Sequence, residues 1–440
     1  MGNSINQSIT GQGNSALCHN KMWAALPMRR GARLFFALLA MLAVVTASAC
    51  GPLFRMPPVP QSQQGDISVL GLNDVWYWGD EVTPQMMAEA VASYLRERDY
   101  ATASGHLGPL PPAYYLAVSG GGENGAFGAG LLVGWTEAGT RPTFKLVTGI
   151  STGALIAPFA FLGPAHDAEL RQIYTKIGPK DVLERRWILP GLLADAMATN
   201  RPLYRTIQRF VTPQLLREIA QQYQRGRLLL IGTTDLDAGR PVIWNVGKIA
   251  ASGRPGALEL IQKVLLASAA LPVAFPPVMI DVQAGGKHYQ EMNVDGGASA
   301  QVFVYPSGVQ VKRFGNRYGV TRERRLYIIR NARLDPQWAD VSRRTLSIAG
   351  RATSSLIQTQ GVGDLYRIYS VSQRDGVDFN LASMPESFNV PLRYSFDPHY
   401  MNALFEVGYR LGKEGYSWAK APPGYGGANP VAAQAAAATQ

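Results

Sequence analysis

The stretch Gly149-Ile150-Ser151-Thr152-Gly153 decides how this chain is read. It stands between two apolar runs, Phe144 to Val147 before it and Ala154 to Leu162 after it. That order predicts a strand, a sharp turn and a helix, with a serine at the apex. Gly149 and Gly153 flank the serine because such an elbow is strained and a side chain on either side would clash. The apex hydroxyl then stands clear of the sheet, with the amino end of the helix behind it. Negative charge developing at that point is stabilised by free backbone N–H groups and by the helix dipole. A G-x-S-x-G match by itself also describes an ordinary tight loop, so the decision rests on what lies upstream and downstream.

Upstream, Tyr114 to Ser119 is a short, largely apolar run bounded by proline and glycine, which predicts a buried strand. Gly120-Gly121-Gly122-Glu123-Asn124-Gly125-Ala126-Phe127-Gly128-Ala129-Gly130 follows directly, then an apolar helix through Trp135. Bare backbone of this kind lets several N–H groups point at one spot and hold an anion, either a phosphate or an oxyanion. Gly120, Gly122 and Gly125 also fit the dinucleotide fingerprint G-x-G-x-x-G. That fingerprint needs an acid about 20 residues on, at the end of the second strand. The second strand ends Leu146-Val147-Thr148-Gly149 and brings Ser151 instead. The oxyanion reading is therefore preferred.

Downstream, residues 167–226 read as mostly helical, with breaks at Pro179, Pro190-Gly191, Pro202 and Pro213. Leu228 to Thr234 and Val242 to Asn245 read as strands around the turn Asp235 to Arg240. Asp235 and Asp237 lack a nearby third ligand in sequence and read as turn formers rather than a metal pair. Leu258 to Ala270 is a helix leading to an apolar loop, Leu271 to Pro277, expected to line a pocket. Val278 to Val282 and Tyr289 to Val294 are strands, and the second leads to Asp295-Gly296-Gly297. A serine hydroxyl needs a base to accept its proton. The five histidines are His19, His106, His166, His288 and His399, and none sits in a tight strand-end motif. Asp295 can serve if burial raises its proton affinity. A Ser, Asp, His order ending at His399 leaves an α/β-hydrolase triad as the alternative. Asp397-Pro398-His399-Tyr400 reads as the start of a helix, which favours a structural His399.

A glycine-rich loop, then G-x-S-x-G, then a distant D-G-G resemble the patatin-like phospholipases over roughly residues 112–335. Ala267-Ser268-Ala269-Ala270-Leu271-Pro272 to Pro277 and Ile328-Ile329-Arg330-Asn331 are similar as well. The resemblance implies a three-layer α/β/α sandwich of the patatin type that hydrolyses lipid acyl esters with a Ser-Asp dyad, without metal or other cofactor. Carried over by position, Ser151 is the nucleophile and Asp295 the base. The Gly120, Gly121, Gly122 and Gly125 loop forms the oxyanion hole, with the Thr152 N–H as a contributor. Gly149, Gly153, Gly296 and Gly297 support the motifs. One departure is Asn124, where the family's loop usually has Arg or Lys.

The ends of the chain speak to location. Residues 1–27 read as an over-extended start, and Met28-Arg29-Arg30 as the beginning of a signal peptide with Leu34 to Val45 as its apolar core. That core is too short to span a bilayer. Ala47-Ser48-Ala49-Cys50 fits a cleavage site, with lipidation expected at Cys50 despite Ala47 where lipoprotein signals usually carry Leu. The expectation is an exported bacterial lipoprotein of the outer membrane facing the periplasm. Residues 50–75 are a lipidated, flexible spacer and 76–111 an edge helix centred on Met86 to Arg98. Residues 112–335 are the catalytic domain. Residues 336–420 are a helical extension, Trp338 to Ser372 and Tyr400 to Trp418, capping the sandwich. Residues 421–440 are expected to be disordered.

The chain has 440 residues, 47% hydrophobic, enough for a large core. Its two cysteines, Cys18 and Cys50, leave the body without a disulfide or a cysteine-based zinc site. The net charge is +11, and the first 49 residues contribute four bases and no acid. The remaining +7 does not suggest nucleic acid as a partner. Residues 312–351 hold eleven basic and three acidic residues. A cationic stretch beside a lipase site can orient it on an anionic membrane surface, and it can equally be a solvated face. The reading is a lipid acyl hydrolase acting on a phospholipid or lysophospholipid. Its rivals are a periplasmic scaffold or lipid-binding protein on the same fold, and the His399 esterase.

Overall fold

The computed structural model describes residues 55–185, 196 and 198–425. The expectations for the signal segment, Cys50, Pro190-Gly191 and the tail from residue 426 on lie outside them. From Arg55 onward the chain forms one compact unit. Its centre is a sheet of nine strands: β1 (Trp76–Trp78), β2 (Ala113–Val118), β3 (Leu146–Ile150), β4 (Leu228–Asp235), β5 (Arg240–Asn245), β6 (Val278–Ala284), β7 (Lys287–Asp295), β8 (Arg324–Arg330) and β9 (Asp378–Ser383). The order along the sheet is β1-β5-β4-β3-β2-β8-β9, with β7 on β4 and β6 on β7. From β4 through β9 that path is parallel. Parallel strands are covered on both faces, so β2, β3 and β8 are nearly continuous apolar runs.

Alternate residues of these strands feed two cores. Leu116, Val118, Val147 and Ile329 face the larger one. It is covered by α2 (Gly125–Glu137), α3 (Thr152–Leu162), α8 (Ala257–Ser268) and α11 (Pro398–Lys413), among others. Tyr115, Ala117, Leu326 and Ile328 face the smaller one, under Leu365 and Ile368 of α10 (Thr345–Asp375). This is the mixed α/β architecture with a mostly parallel sheet between helical layers. The two C-terminal helices close it, one on each face. The remaining helices used below are α1 (Pro84–Ala103), α4 (Asp167–Lys176), α5 (Arg201–Phe210), α6 (Pro213–Gln224), α7 (Val246–Ala251) and α9 (Val311–Tyr318).

α2 and α11 meet backbone to backbone. A Cβ on Gly130 or Gly134 would lie 2.1 or 2.0 Å from the carbonyl oxygens of Phe405 and Tyr409, and one on Gly408 or Gly412 would lie 2.3 or 2.4 Å from those of Phe127 and Leu131. Two G-x-x-x-G faces are thus pressed together, so Gly130 at the end of the glycine-rich run is a packing residue.

Three expectations need correction. The long C-terminal helix begins at Thr345 rather than Trp338, because residues 336–344 run without helical bonding. The stretch expected to be a flexible spacer is part of the fold from Arg55. Val59, Ile67, Val69 and Val75 are buried, the Gln290 N–H donates to Pro57 O, and Ser68 bridges Gln283. Asp235 and Asp237 do have a third carboxylate beside them, Glu291 of β7, all within 4.8 Å of one another. Asp235 accepts the Asp237 and Ala238 N–H groups as a turn former does, Arg55 pairs with Asp237 at 2.8 Å, and Glu291 accepts the Val59 N–H. Burial and the neighbouring Asp235 push the Glu291 carboxyl up.

Candidate active site

Register brings Ser151 and Asp295 together. β5 occupies one edge of β4 from Leu230 to Asp235. The other edge is shared. β3 runs along it in parallel and ends with Ile150 opposite Gly232, while β7 comes in antiparallel and ends with Asp295 opposite Thr233. Two strands approach one another along the same edge and stop where they meet. Gly296 permits the junction, since a Cβ there would lie 2.6 Å from Gly232 O.

At that junction Ser151 has φ 55° and ψ −126°, a strained conformation for a residue with a side chain. It is the elbow the motif predicted. Gly149 and Gly153 are needed for close approach: Cβ atoms would lie 2.4 Å from Gly153 O and 2.2 Å from Val118 O. Ser268, at the end of α8, pins the turn by accepting the Ser151 N–H at 3.0 Å and donating to Gly232 O at 2.6 Å.

The Asp295 carboxyl is 2% exposed and faces the Ser151 hydroxyl closely enough for that group to stabilise its charged form. It also accepts the Gly297 N–H at 2.7 Å. No cation is placed against it among the described residues, so burial dominates and pushes its pKa up to about 6, against the lowering effect of the Ser151 hydroxyl and the Gly297 N–H. A carboxylate of this kind is a far better proton acceptor than one in water and is still mostly ionised at neutral pH.

The glycine-rich loop crosses beside the serine. A Cβ on Gly120 would lie 3.2 Å from the Ser151 Cβ. Of the four loop glycines named from sequence, two have committed their N–H groups. Gly120 donates to Gln301 O at 3.0 Å, and Gly125, the first residue of α2, donates to Gly122 O and Glu123 O. The Gly121 and Gly122 N–H groups have no protein acceptor among the described residues. The Thr152 N–H is the first of α3 and has no intrahelical acceptor either. Gly121 adopts φ 153° against Asn331, whose carbonyl would lie 2.2 Å from a Cβ there. Asn331 staples the loop: its side chain donates to Ser119 O at 2.9 Å and accepts the Gly128 N–H at 3.0 Å.

Asn124, the departure from the family's pattern, accepts a hydrogen bond from Tyr400 of α11 at 2.6 Å. The neighbouring Glu123 carboxyl is raised by burial. His399 is exposed, holds its N–H on Asp397 at 3.0 Å as a helix-capping contact, and does not line the cavity above Ser151. The structure therefore does not assemble the Ser151, Asp, His399 alternative. Ser268, Gln301 and Tyr400 were given no role from the sequence. Ser268 lies inside a segment singled out there, whereas nothing local marks Gln301.

Ser151, Thr152, Asp295, Gly121 and Gly122 open into a cavity of about 1250 Å³. Its walls are mainly apolar and include Leu155, Ile173, Leu203, Phe275, Leu334 and Met401. Such a volume takes a flexible chain of many methylenes, held by apolar burial with few directional contacts.

Residues 116–306 match the family model for patatin-like phospholipases. A comparison with curated proteins finds no match. Among solved structures the chain is similar to VipD from Legionella pneumophila, at 11% identity and a TM-score of 0.29, covering 70% of this chain and 66% of that one. It is similar to the human GIVD cytosolic phospholipase A2, at 10% and 0.28, covering 64% and 51%. It is also similar to the type III effector protein ExoU, at 15% and 0.27, covering 70% and 53%. The chain thus spans between half and two thirds of the length of each of these three.

Proposed function

We propose that this chain, whose residues 116–306 match the family model for patatin-like phospholipases, is a lipid acyl hydrolase working through Ser151 and Asp295. The observation that carries the reading is the meeting, at one strand junction, of a serine on a strained elbow and a buried carboxyl with no cation against it among the described residues, both lining a large apolar cavity. Asp295 takes the Ser151 proton as Oγ attacks the ester carbonyl carbon. The carbonyl oxygen becomes an oxyanion facing the Gly121, Gly122 and Thr152 N–H groups, which have no other acceptor to leave. The tetrahedral intermediate collapses to an acyl-serine, and Asp295 returns the proton to the departing alkoxide. Water then attacks the acyl-serine and gives a proton to Asp295. In the second collapse the acyl–Oγ bond breaks, the fatty acid is released and Asp295 returns its proton to Ser151 Oγ. The apolar cavity supports a phospholipid or lysophospholipid acyl chain as the occupant.

The N-terminal residues add location to this reading: export by the segment from Met28, and anchoring through acylated Cys50. Mass spectrometry of the mature protein from the native host is expected to show an acylated Cys50 as its first residue.

The deciding experiment uses a fluorophosphonate probe and a phospholipid substrate on wild type, Ser151→Ala, Asp295→Asn and His399→Ala. Stoichiometric labelling of wild type, loss of at least about 10³-fold in turnover for the first two variants and survival of the third are expected. A wild type that is neither labelled nor active on any ester overturns the hydrolase reading in favour of a scaffold.

A further inference from the structure

The rim of the cavity is apolar where solvent meets it. On one side the loop after α8 carries Leu271 and Val273. Leu271 and Ala274 line the cavity, and Val273 between them is 75% exposed. Val273 also has φ 71°, a conformation very unfavourable for a β-branched residue. Backbone strain is thus tolerated there while an isopropyl group is held in water. On another side Pro336 and Gln337 line the cavity and Trp338, next in the chain, is 90% exposed. Arg351, Ser354 and Ser355 of α10 line it too, and Ile348 and Leu356 beside them are 54% and 70% exposed. Scattered apolar residues on a surface mean nothing, but a set gathered around the mouth of one cavity marks a surface that is covered in use.

Charge identifies what covers it. In the basic run at 312–351, Arg322 pairs with Glu97, Arg325 with Glu323 and Arg333 with Asp335, and Arg330 is buried. Lys312, Arg313 and Arg317 lie on α9. That helix packs on Tyr94 of α1, and its Lys312 N–H meets Asp375 at the far end of α10. α10 has 31 residues, so its two ends are about 46 Å apart. Only Arg343, Arg344 and Arg351 stand at the cavity end, without carboxylate partners among the described residues. Residues 336–356 contain one acid, Asp340. The run is therefore not one cationic face.

We infer that the cavity rim is a docking face for an anionic lipid bilayer, with Trp338, Val273, Ile348 and Leu356 entering the interface and Arg343 and Arg344 meeting lipid phosphates. Exposed tryptophan and aliphatic side chains beside arginines suit the headgroup boundary, where one end of a residue is apolar and the other wet. Docking in this orientation places the cavity mouth on the lipid surface. An acyl chain then passes from bilayer to apolar wall without crossing water. This rests on the acyl-hydrolase reading of the cavity.

The test uses the chain from Arg55 onward, which forms a compact unit with its own core, carrying Ser151→Ala so that lipid is bound and not consumed. Sedimentation with phosphatidylcholine vesicles, with and without phosphatidylglycerol, reads affinity. Stronger binding to the anionic vesicles is expected, together with a loss of about tenfold or more in Arg343→Glu/Arg344→Glu and in Trp338→Ser/Val273→Asn. A vesicle-induced blue shift of tryptophan emission should be missing in Trp338→Phe. In an active background the same rim variants should turn over a soluble short-chain ester at the wild-type rate, which also shows that they fold. Wild-type vesicle binding by both double variants, or an emission shift unaffected by Trp338→Phe, overturns the docking face. So does a dimer without vesicles that Trp338→Ser dissolves, because the rim would then be an interface between copies. Failure of the hydrolase reading looks different: no ester is hydrolysed by wild type, whatever the vesicles show.

Discussion

Ser151 and Asp295 each carry a cost that can be measured. Asp295 has its carboxyl pushed up to about 6 from 3.8 by burial. Between those values the unfolded chain releases its proton while the folded chain keeps it, so stability falls as pH rises through that window. The loss amounts to about 3 kcal/mol by pH 7. Asp295→Asn should remove this pH dependence and raise the unfolding midpoint near neutral pH, while abolishing turnover. The proposed dyad requires kcat/KM of the wild type to rise with pH through an apparent pKa near 6, because in it only the ionised carboxylate can accept the Ser151 proton. The elbow gives a second measurement. A non-glycine residue at φ 55° stores about 1–3 kcal/mol, and alanine keeps that strain whereas glycine relieves it. Ser151→Gly should therefore be more stable than Ser151→Ala by about 1 kcal/mol after glycine's entropic penalty, as read from denaturant midpoints. The sequence singles both residues out because motif and spacing are local, and the strand register sets them side by side. The division of labour among the glycines was not legible: the Gly120 N–H is claimed by Gln301, 181 positions along the chain, and no local pattern reports such a contact.

Elements were legible where periodicity or a cap marked them. The strand cores of β2, β3 and β4, and the helices after the glycine loop and the elbow, fall within a few residues of expectation. α10 was placed seven residues early because Trp338 to Arg344 contains no proline or glycine to break a helical reading. The contact of α2 with α11 was illegible, since each G-x-x-x-G face gains its meaning from a partner about 280 residues away. It makes a sharp prediction. Gly134→Ala puts a methyl group 2.0 Å from the Tyr409 carbonyl oxygen and should cost about 3 kcal/mol, as overpacking does when backbone cannot yield. Gly350→Ala, in α10 with nothing within 4 Å of the new Cβ, should instead stabilise by about 0.5–1 kcal/mol through helix propensity. Urea unfolding of the two variants checks both signs.

For the whole molecule, three motifs in order foretold a layered α/β fold. How the C-terminal extension completes it could not be read, because 336–420 has no motif and its helices pack on opposite faces. The family match ends at residue 306, yet Leu365, Ile368, Phe379 and Leu381 belong to the smaller core and Leu404 and Phe405 to the larger. A chain stopped after Asp340 is therefore expected to lose cooperative thermal unfolding and to precipitate, although every residue of the proposed dyad and oxyanion loop is kept. A soluble truncated chain with a sharp melting transition would show that the C-terminal helices are accessory. The burial of Asp295 also bears on what history can have kept. An acid sealed in a core without a cation is a standing handicap, and an isosteric asparagine is one nucleotide change away. In a lineage that used this fold only as a scaffold, drift would reach that asparagine readily and selection for a sturdier fold would retain it. Under the proposed mechanism turnover requires that carboxyl, whereas a scaffold on the same fold would not.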